Sequence, residues 1–327
     1  MTATAGTAPA DGAMARLGRI DAIDLARAVA LIAMAVYHFT WDLEFFGYVE
    51  PGLSQQGGWK IFARAIASSF LVLVGISLVL AHGERIRWAG FGRRLAQIVA
   101  AAAAITIATR FAIPERFIFF GILHQIALAS VIGLAFLRLP AWLTLAVAVF
   151  VIAAPHVVSA TIFGHPALWW VGLAPVSPLS NDYVPVFPWT GAMLAGIAGG
   201  RLMRDHGLFS RLAQVKAGAW ATPLRFIGRH SLAFYLLHQP LLIGALWLYA
   251  LVLPATPQTP EAGFMRGCQR QCETSGAGID CALYCACVLD AIDEAGRLDD
   301  VFSGVSDDAL KDELSVIAGQ CSRVTGE

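Results

Sequence analysis

An arginine, a histidine and an aspartate share one apolar segment near the start of the chain. Arg27 is followed ten residues later by His38, and Asp42 lies four residues beyond that. On a helix, the eleven steps from Arg27 to His38 fall about 20° short of or beyond whole turns and rise about 16 Å. The two therefore lie on one stripe. Asp42, at the next turn, is expected within reach of His38, where a carboxylate fixes an imidazole's tautomer and raises its basicity. Ionisable groups inside an apolar span are costly and mark functional sites. A positioned base with a fixed cation about three turns away suits acyl transfer from a phosphate-bearing thioester: the cation holds phosphate and the imidazole takes the proton of the attacking group.

The elements that must position these residues follow from composition. Of 327 residues, 57% are hydrophobic and 14% are charged. A soluble domain is nearer 45–50% apolar and about 25% charged, so lipid is the expected solvent for much of the chain. Spanning helices need about 20 mostly apolar residues. Seven such stretches occur, at 24–46, 60–81, 93–110, 117–137, 141–163, 184–203 and 231–253. Runs such as 98–107 and 143–153 do not alternate as membrane β-strands would. The fold expected is an all-α, polytopic transmembrane bundle of about seven helices, followed by a small cysteine-rich helical domain.

The net charge of zero is a sum of opposites. Residues 1–260 hold 18 Lys+Arg against 10 Asp+Glu, and residues 261–327 hold 5 against 13. All six cysteines, Cys268, Cys272, Cys281, Cys285, Cys287 and Cys321, fall in the second part. The break near Pro254–Pro260 gives three expected regions: a cytoplasmic segment 1–20, a membrane domain 21–254 and an acidic tail 255–327. With the N-terminus inside, cytoplasmic segments carry 14 Lys+Arg, Arg16 among them, against four in the outer loops (Lys60, Arg64, Arg110, Arg116). The first 19 residues hold no apolar run, so a cleaved signal peptide is not expected. Seven crossings place the tail outside the plasma membrane, in the periplasm of a bacterial cell. Disulfides persist there. Cysteines four apart share a helical face, helices are expected near 281–294 and 307–321 with Ser306 and Asp307 at a cap, and three disulfides are the favoured reading. Six cysteines allow 15 pairings, and the spacing chooses none of them. Zinc is the rival, weakened by a tail without histidine.

Further polar residues sit in or beside the spans. His124 with Gln125 lies in the fourth. Asp182 and Tyr183 precede the sixth, where Pro185 and Pro188 should bend the entry and Ala192, Gly196 and Gly200 form a close-packing seam. Arg229 and His230 open the seventh, and His238, Gln239 and Pro240 follow within it. A hydrogen-bonded core histidine, a helix-end carboxylate or an inside-positive anchor explains each of these singly. A buried cavity explains them together.

Four segments in order resemble bacterial relatives of the heparan-α-glucosaminide N-acetyltransferase catalytic family: Ile20–Arg27 with Tyr37–Gly47, Phe120–Ala127, Asp182–Trp189 and Ile227–Pro240. The Arg-x10-His spacing also resembles the membrane acyltransferase-3 proteins. The resemblance covers about residues 18–253 and leaves out the tail. It implies acetyl-CoA as cytoplasmic donor, an amino-sugar or other glycan acceptor on the far side, His38 as the histidine of transfer and Arg27 on the coenzyme side. We therefore expect His38 and Asp42 in catalysis, Arg27, His124, Arg229 and His230 at the coenzyme, and Asp182, Tyr183, His238 and Gln239 at the acceptor. No metal is expected. Expected partners are the lipid bilayer and the glycan, with a homodimer left open and no nucleic acid. Two departures leave the acceptor undefined: the heparan-modifying enzymes have more helices, and Ala28 stands where the family has glycine after the arginine. The rival reading is a proton-coupled carrier using the Arg/His/Asp stripe, disfavoured because the two halves show no repeat. A third is an anchor that only displays the tail.

Overall fold

A computed structural model describes residues 19–83, 85–255, 259–275, 280–303 and 308–325. Arg16, most of the expected segment 1–20, and the capping pair Ser306 and Asp307 lie outside them. Among the described residues there are helices and turns and no strand.

Each of the seven expected spans contains a helix: α1 (Asp21–Phe45), α2 (Gly57–His82), α3 (Trp88–Ala112), α4 (Ile122–Phe136), α5 (Ala141–Val157), α6 (Val186–Asp205) and α9 (Ser231–Val252). Between α6 and α9 lie two short helices, α7 (Leu208–Gln214) and α8 (Thr222–Arg229). Four helices, α1, α2, α3 and α9, are long and apolar enough to cross a membrane, and α4 and α5 are shorter apolar helices. Large apolar side chains such as Phe111 and Trp142 stand open on the surface, 84% and 71% exposed. Water would not tolerate so many of these on helices of this length. The chain is a membrane protein.

Two spans are shorter than expected. The fourth was expected from 117, but the helix starts at Ile122, because Pro114–Arg116 forms a separate 3-10 turn and the backbone at Gly121 is extended. The fifth ends at Val157, two residues past Pro155, and gives way to 3-10 turns at Thr161–Gly164 and Pro166–Val171. In α6 the helical dihedrals break at Phe187 (φ −97°, ψ 127°), between the two prolines expected to bend the entry, and the Phe187–Pro188 bond is cis.

The chain divides into two compact units. The first is Met1–Asp42 with Ser54–Ala245. Its centre is α6, which packs on α2 and on α5. The α2–α6 contact is made by backbones. A methyl group on Gly75 would stand 2.2 Å from the Met193 carbonyl oxygen, and one on Gly196 equally close to that of Val72. No side chain fits, which is the small-residue packing that membrane helices use in place of a hydrophobic drive. Leu71, Val79, Met193, Leu194 and Ile197 are buried around this seam. A polar tie joins α4 to α6, where buried Gln125 donates from Nε2 to Thr190 Oγ1 at 2.7 Å.

The second unit is Leu43–Leu53 with Leu246–Glu327. It takes in a loop after α1 and the end of α9 besides the tail. The tail helices are α10 (Pro260–Ser275), α11 (Cys281–Glu294), α12 (Leu298–Phe302) and α13 (Asp308–Thr325). The cysteines pair as Cys268–Cys285, Cys272–Cys281 and Cys287–Cys321. The two C-x3-C pairs thus each present one face, and the faces meet as rungs between α10 and α11. Val288, Ile292 and Ile317 make a small core, the size of core that needs covalent staples. Asp280 caps α11, accepting from the Ala282 and Leu283 amides. Arg270 pairs with Glu50 at 2.9 Å, fixing the 43–53 loop within this unit.

Candidate functional site: an arginine-walled cavity and a histidine cluster

Arg27 stands on the first turns of α1 and reaches α2, donating to Ser77 Oγ at 2.6 Å. It also pairs with Asp24 at 3.2 Å. Asp24, almost fully buried, faces two more arginines, Arg19 at 3.4 Å and Arg229 at 3.5 Å. Asp21 one turn earlier pairs with Arg225 at 3.0 Å. The helices can come this close because α8 meets α1 at Gly228, where a methyl group would lie 1.9 Å from the Asp24 carbonyl oxygen.

Arg19, Arg27, Arg94 and Arg229 all line one cavity of about 370 Å³. Its walls come from α1, α2, α3, α4, α8 and α9, with Ser77, His82, Ser130, Ser231 and Tyr235 among the polar members. Asp24 pairs with three of these arginines, Asp21 also reaches Arg229 at 4.0 Å, and Arg94 forms no ion pair among the described residues. The cavity therefore carries surplus positive charge on low-dielectric walls, which concentrates anions. Guanidinium forks suit phosphate oxygens. The residues fit a phosphate-bearing ligand.

His38 lies beyond this cavity. The walls reach Leu31 on α1 and Tyr235 on α9, and Leu31 and Tyr235 pack in one apolar cluster with Met34, Ile66 and Phe70. Along α1 the apolar Leu31 and Met34 follow Arg27, and the cavity wall does not include His38. His38 turns toward α9, its ring edge against that of His238 with centroids 5.0 Å apart.

Asp42 does not pair with His38 as expected. It is fully buried, and its Oδ1 accepts from Gln239 Nε2 at 2.6 Å. The i+4 spacing put it within reach, but α9 supplies a fixed amide donor at closer register. His238 is held through Nδ1 by the Tyr235 carbonyl at 2.7 Å. The result is a two-by-two contact, His38 and Asp42 from α1 against His238 and Gln239 from α9.

The other expected residues lie elsewhere. His124, expected at the coenzyme, sits at the start of α4, where Nδ1 accepts from the Gly121 amide and Nε2 meets Thr106 Oγ1, both at 3.2 Å. It caps a helix and is not part of the cavity wall. His230 is exposed, bonded to the Phe226 carbonyl at 2.9 Å, and also outside the wall. Arg229 is in it. Asp182, expected to open its own helix, caps α4: Oδ2 accepts from the Ile122 amide at 2.9 Å. Burial pushes its carboxyl up to about 6, with that amide opposing the rise. Tyr183 donates its hydroxyl to the Trp169 carbonyl at 2.6 Å. Asp182 and Tyr183 are thus brought together with α4 and the 166–171 turn.

Sequence reasoning did not single out Arg19, Arg94, Ser77, Asp24 or Tyr235. Arg94 was counted only toward membrane orientation. The acidic pair Asp21 and Asp24 beside Arg27 was the one available signal for the network.

The family model described as heparan-alpha-glucosaminide N-acetyltransferase, catalytic, matches residues 19–240. No curated protein and no solved structure matches the chain. The match spans every residue of both clusters described here and ends before the tail.

Proposed function

The chain belongs to the heparan-alpha-glucosaminide N-acetyltransferase catalytic family, and on that premise we propose that it moves an acetyl or other acyl group from cytoplasmic acetyl-CoA to an amino-sugar or other glycan acceptor on the periplasmic side. The observation that carries this reading is the arginine-walled cavity, on the same helix as His38 and with more guanidinium than carboxylate charge. Arg27, Arg94, Arg19 and Arg229 would hold coenzyme phosphates. The arginine-rich loops support a cytoplasmic setting for this end, where coenzyme A is supplied. The paired tail cysteines agree with an oxidising compartment on the other side.

At the reacting end, His38 takes the proton of the acceptor as its nitrogen or oxygen attacks the thioester carbonyl. The new bond to carbon forms, the C–S bond breaks, and His38 returns the proton to the departing sulfur. Tyr235 lines the cavity and its ring centroid lies 5.8 Å from that of His238, so a side-chain movement there would connect the cavity to the histidine pair. Asp42 and Gln239 clamp α9 to α1 and so hold the two histidines together.

Reconstituted protein with labelled acetyl-CoA and a panel of amino sugars tests this. Coenzyme A release that depends on both protein and acceptor is expected. One observation favours the second reading, a proton-coupled carrier: Asp42 is fully buried with one oxygen unpartnered, as proton relays require. Proton flux without coenzyme A release, and no thermal stabilisation by acetyl-CoA, would establish the carrier instead.

A further inference from the structure

At the junction of α1 and α9, Asp42 Oδ2, Gln239 Oε1 and His238 Nε2 are buried and have no hydrogen-bond partner among the described residues. All three are acceptors, or can be. His238 is the best defined. Its Nδ1 lies 2.7 Å from the Tyr235 carbonyl oxygen, which can only accept, so Nδ1 carries a proton. In the neutral ring Nε2 is then a bare lone pair. The side chain is 8% exposed, so water does not satisfy that lone pair as it would at a surface. A buried acceptor left bare is costly, and a ligand that donates to it recovers the cost. The ring edge of His38, which makes no hydrogen bond within the described chain, is in contact with His238. Two imidazole rings with unengaged nitrogens are therefore in contact, centroids 5.0 Å apart, one from each helix.

We infer that His238 selects an amine over a hydroxyl as the attacking group. The inference rests on the transferase reading above and deepens it. A primary amine brings two hydrogens on the attacking nitrogen. As the C–N bond forms, one goes to His38 and then to the sulfur released when the C–S bond breaks. The other is held throughout by His238 Nε2, which aims the nitrogen lone pair at the carbonyl carbon. A hydroxyl has a single hydrogen. His38 needs it, and His238 Nε2 stays unpaired. Sites with a buried polar group reject an analogue that cannot pair with it far more strongly than apolar pockets reject a change of size.

The test uses the full chain in proteoliposomes with acetyl-CoA and a matched pair of acceptors, glucosamine and glucose. The measurement is the ratio of kcat/KM for amine over hydroxyl. In His238→Phe the ratio is expected to fall roughly tenfold or more, the loss that goes with an unmade buried hydrogen bond. In His238→Gln, whose carbonyl oxygen can stand near the place of Nε2, most of the ratio returns. Melting temperature and coenzyme A binding report that each variant is folded, and His238→Met replaces the phenylalanine if that is not tolerated. A purely structural role would lower both acceptors together. An unchanged ratio in the apolar variants, or glutamine no better than phenylalanine, overturns the inference while the transferase reading stands. A wild-type protein that releases coenzyme A with neither acceptor overturns both.

Discussion

The two ends of the α1 stripe are opposites in hydrogen-bond chemistry. Around Arg27 there is an excess of donors: four guanidinium groups wall the cavity, Asp24 pairs with three of them, Asp21 also reaches Arg229, and Arg94 forms no ion pair among the described residues. Around His38 there is an excess of acceptors, with Asp42, Gln239 and His238 each holding an unpartnered atom. A bundle built only for stability would let surplus donors meet surplus acceptors, because each unpaired buried group costs about 1–3 kcal/mol. Here the buried apolar Leu31 and Met34 separate them along α1. The separation fits the proposed function, in which both sets find partners outside the chain, anionic for one end and N–H or O–H bearing for the other.

Four substitutions would break or sharpen that contrast. The largest effect is expected at the acceptor end. His38→Ala should lower transfer by roughly a thousandfold, within the 10²–10⁴ that a positioned base contributes, while coenzyme A binding measured by calorimetry is unchanged. Turnover that survives would remove His38 from the chemistry. At the donor end, Arg94→Ala should weaken coenzyme A binding by roughly ten- to a hundredfold, the loss of one charge-assisted hydrogen bond. The effect should shrink as salt is raised. Equal affinity in both proteins would show that the surplus charge serves membrane orientation alone.

Gln239→Leu removes the donor that satisfies Asp42 and should cost about 1–3 kcal/mol of stability, read as a lower melting temperature. A melting temperature at or above that of wild type would mean that the clamp between α1 and α9 contributes nothing. The smallest effect belongs to Asp182, outside both ends. Its carboxyl is raised from the ordinary 3.8 to about 6 by burial, so between those values the folded protein binds the proton that the unfolded chain has lost. Stability should therefore decline as pH rises from 4 through 6 and level off above it. Asp182→Asn should flatten that slope in a pH series of melting curves, and an unaltered slope would assign it to another group.

Much of this was legible before any coordinates. Apolar stretches of the right length gave all seven main helices, since in lipid every backbone group must be satisfied within its own segment. The 3.6-residue period placed Arg27 and His38 on one stripe, and the spacing of Gly196 and Gly200 marked the α2–α6 seam. The errors have one form. Asp42 was assigned to His38 because i+4 neighbours are close, yet its donor, Gln239, lies 197 residues away. His124 and Asp182 were expected at the coenzyme and the acceptor because they are polar and near a span; in the structure both cap α4. Arg94 read as a topology anchor because nothing local distinguishes it from Arg93.

The sequence by itself determined what is local or summed: membrane solvent, helix positions, the family, the acidic cysteine-bearing tail and the periodic stripe. Only the tertiary structure decided partners. It chose one of the fifteen pairings of the six cysteines, gave Asp42 to Gln239, set His238 against His38, and gathered Arg19, Arg94 and Arg229 with Arg27 around one cavity. The physical reason is range. Helix formation in lipid is settled within a few residues of backbone hydrogen bonding. The partner of a buried polar side chain depends on which helix packs beside it, and that is set by seams such as Gly75 against Gly196, far along the chain from the groups they bring together.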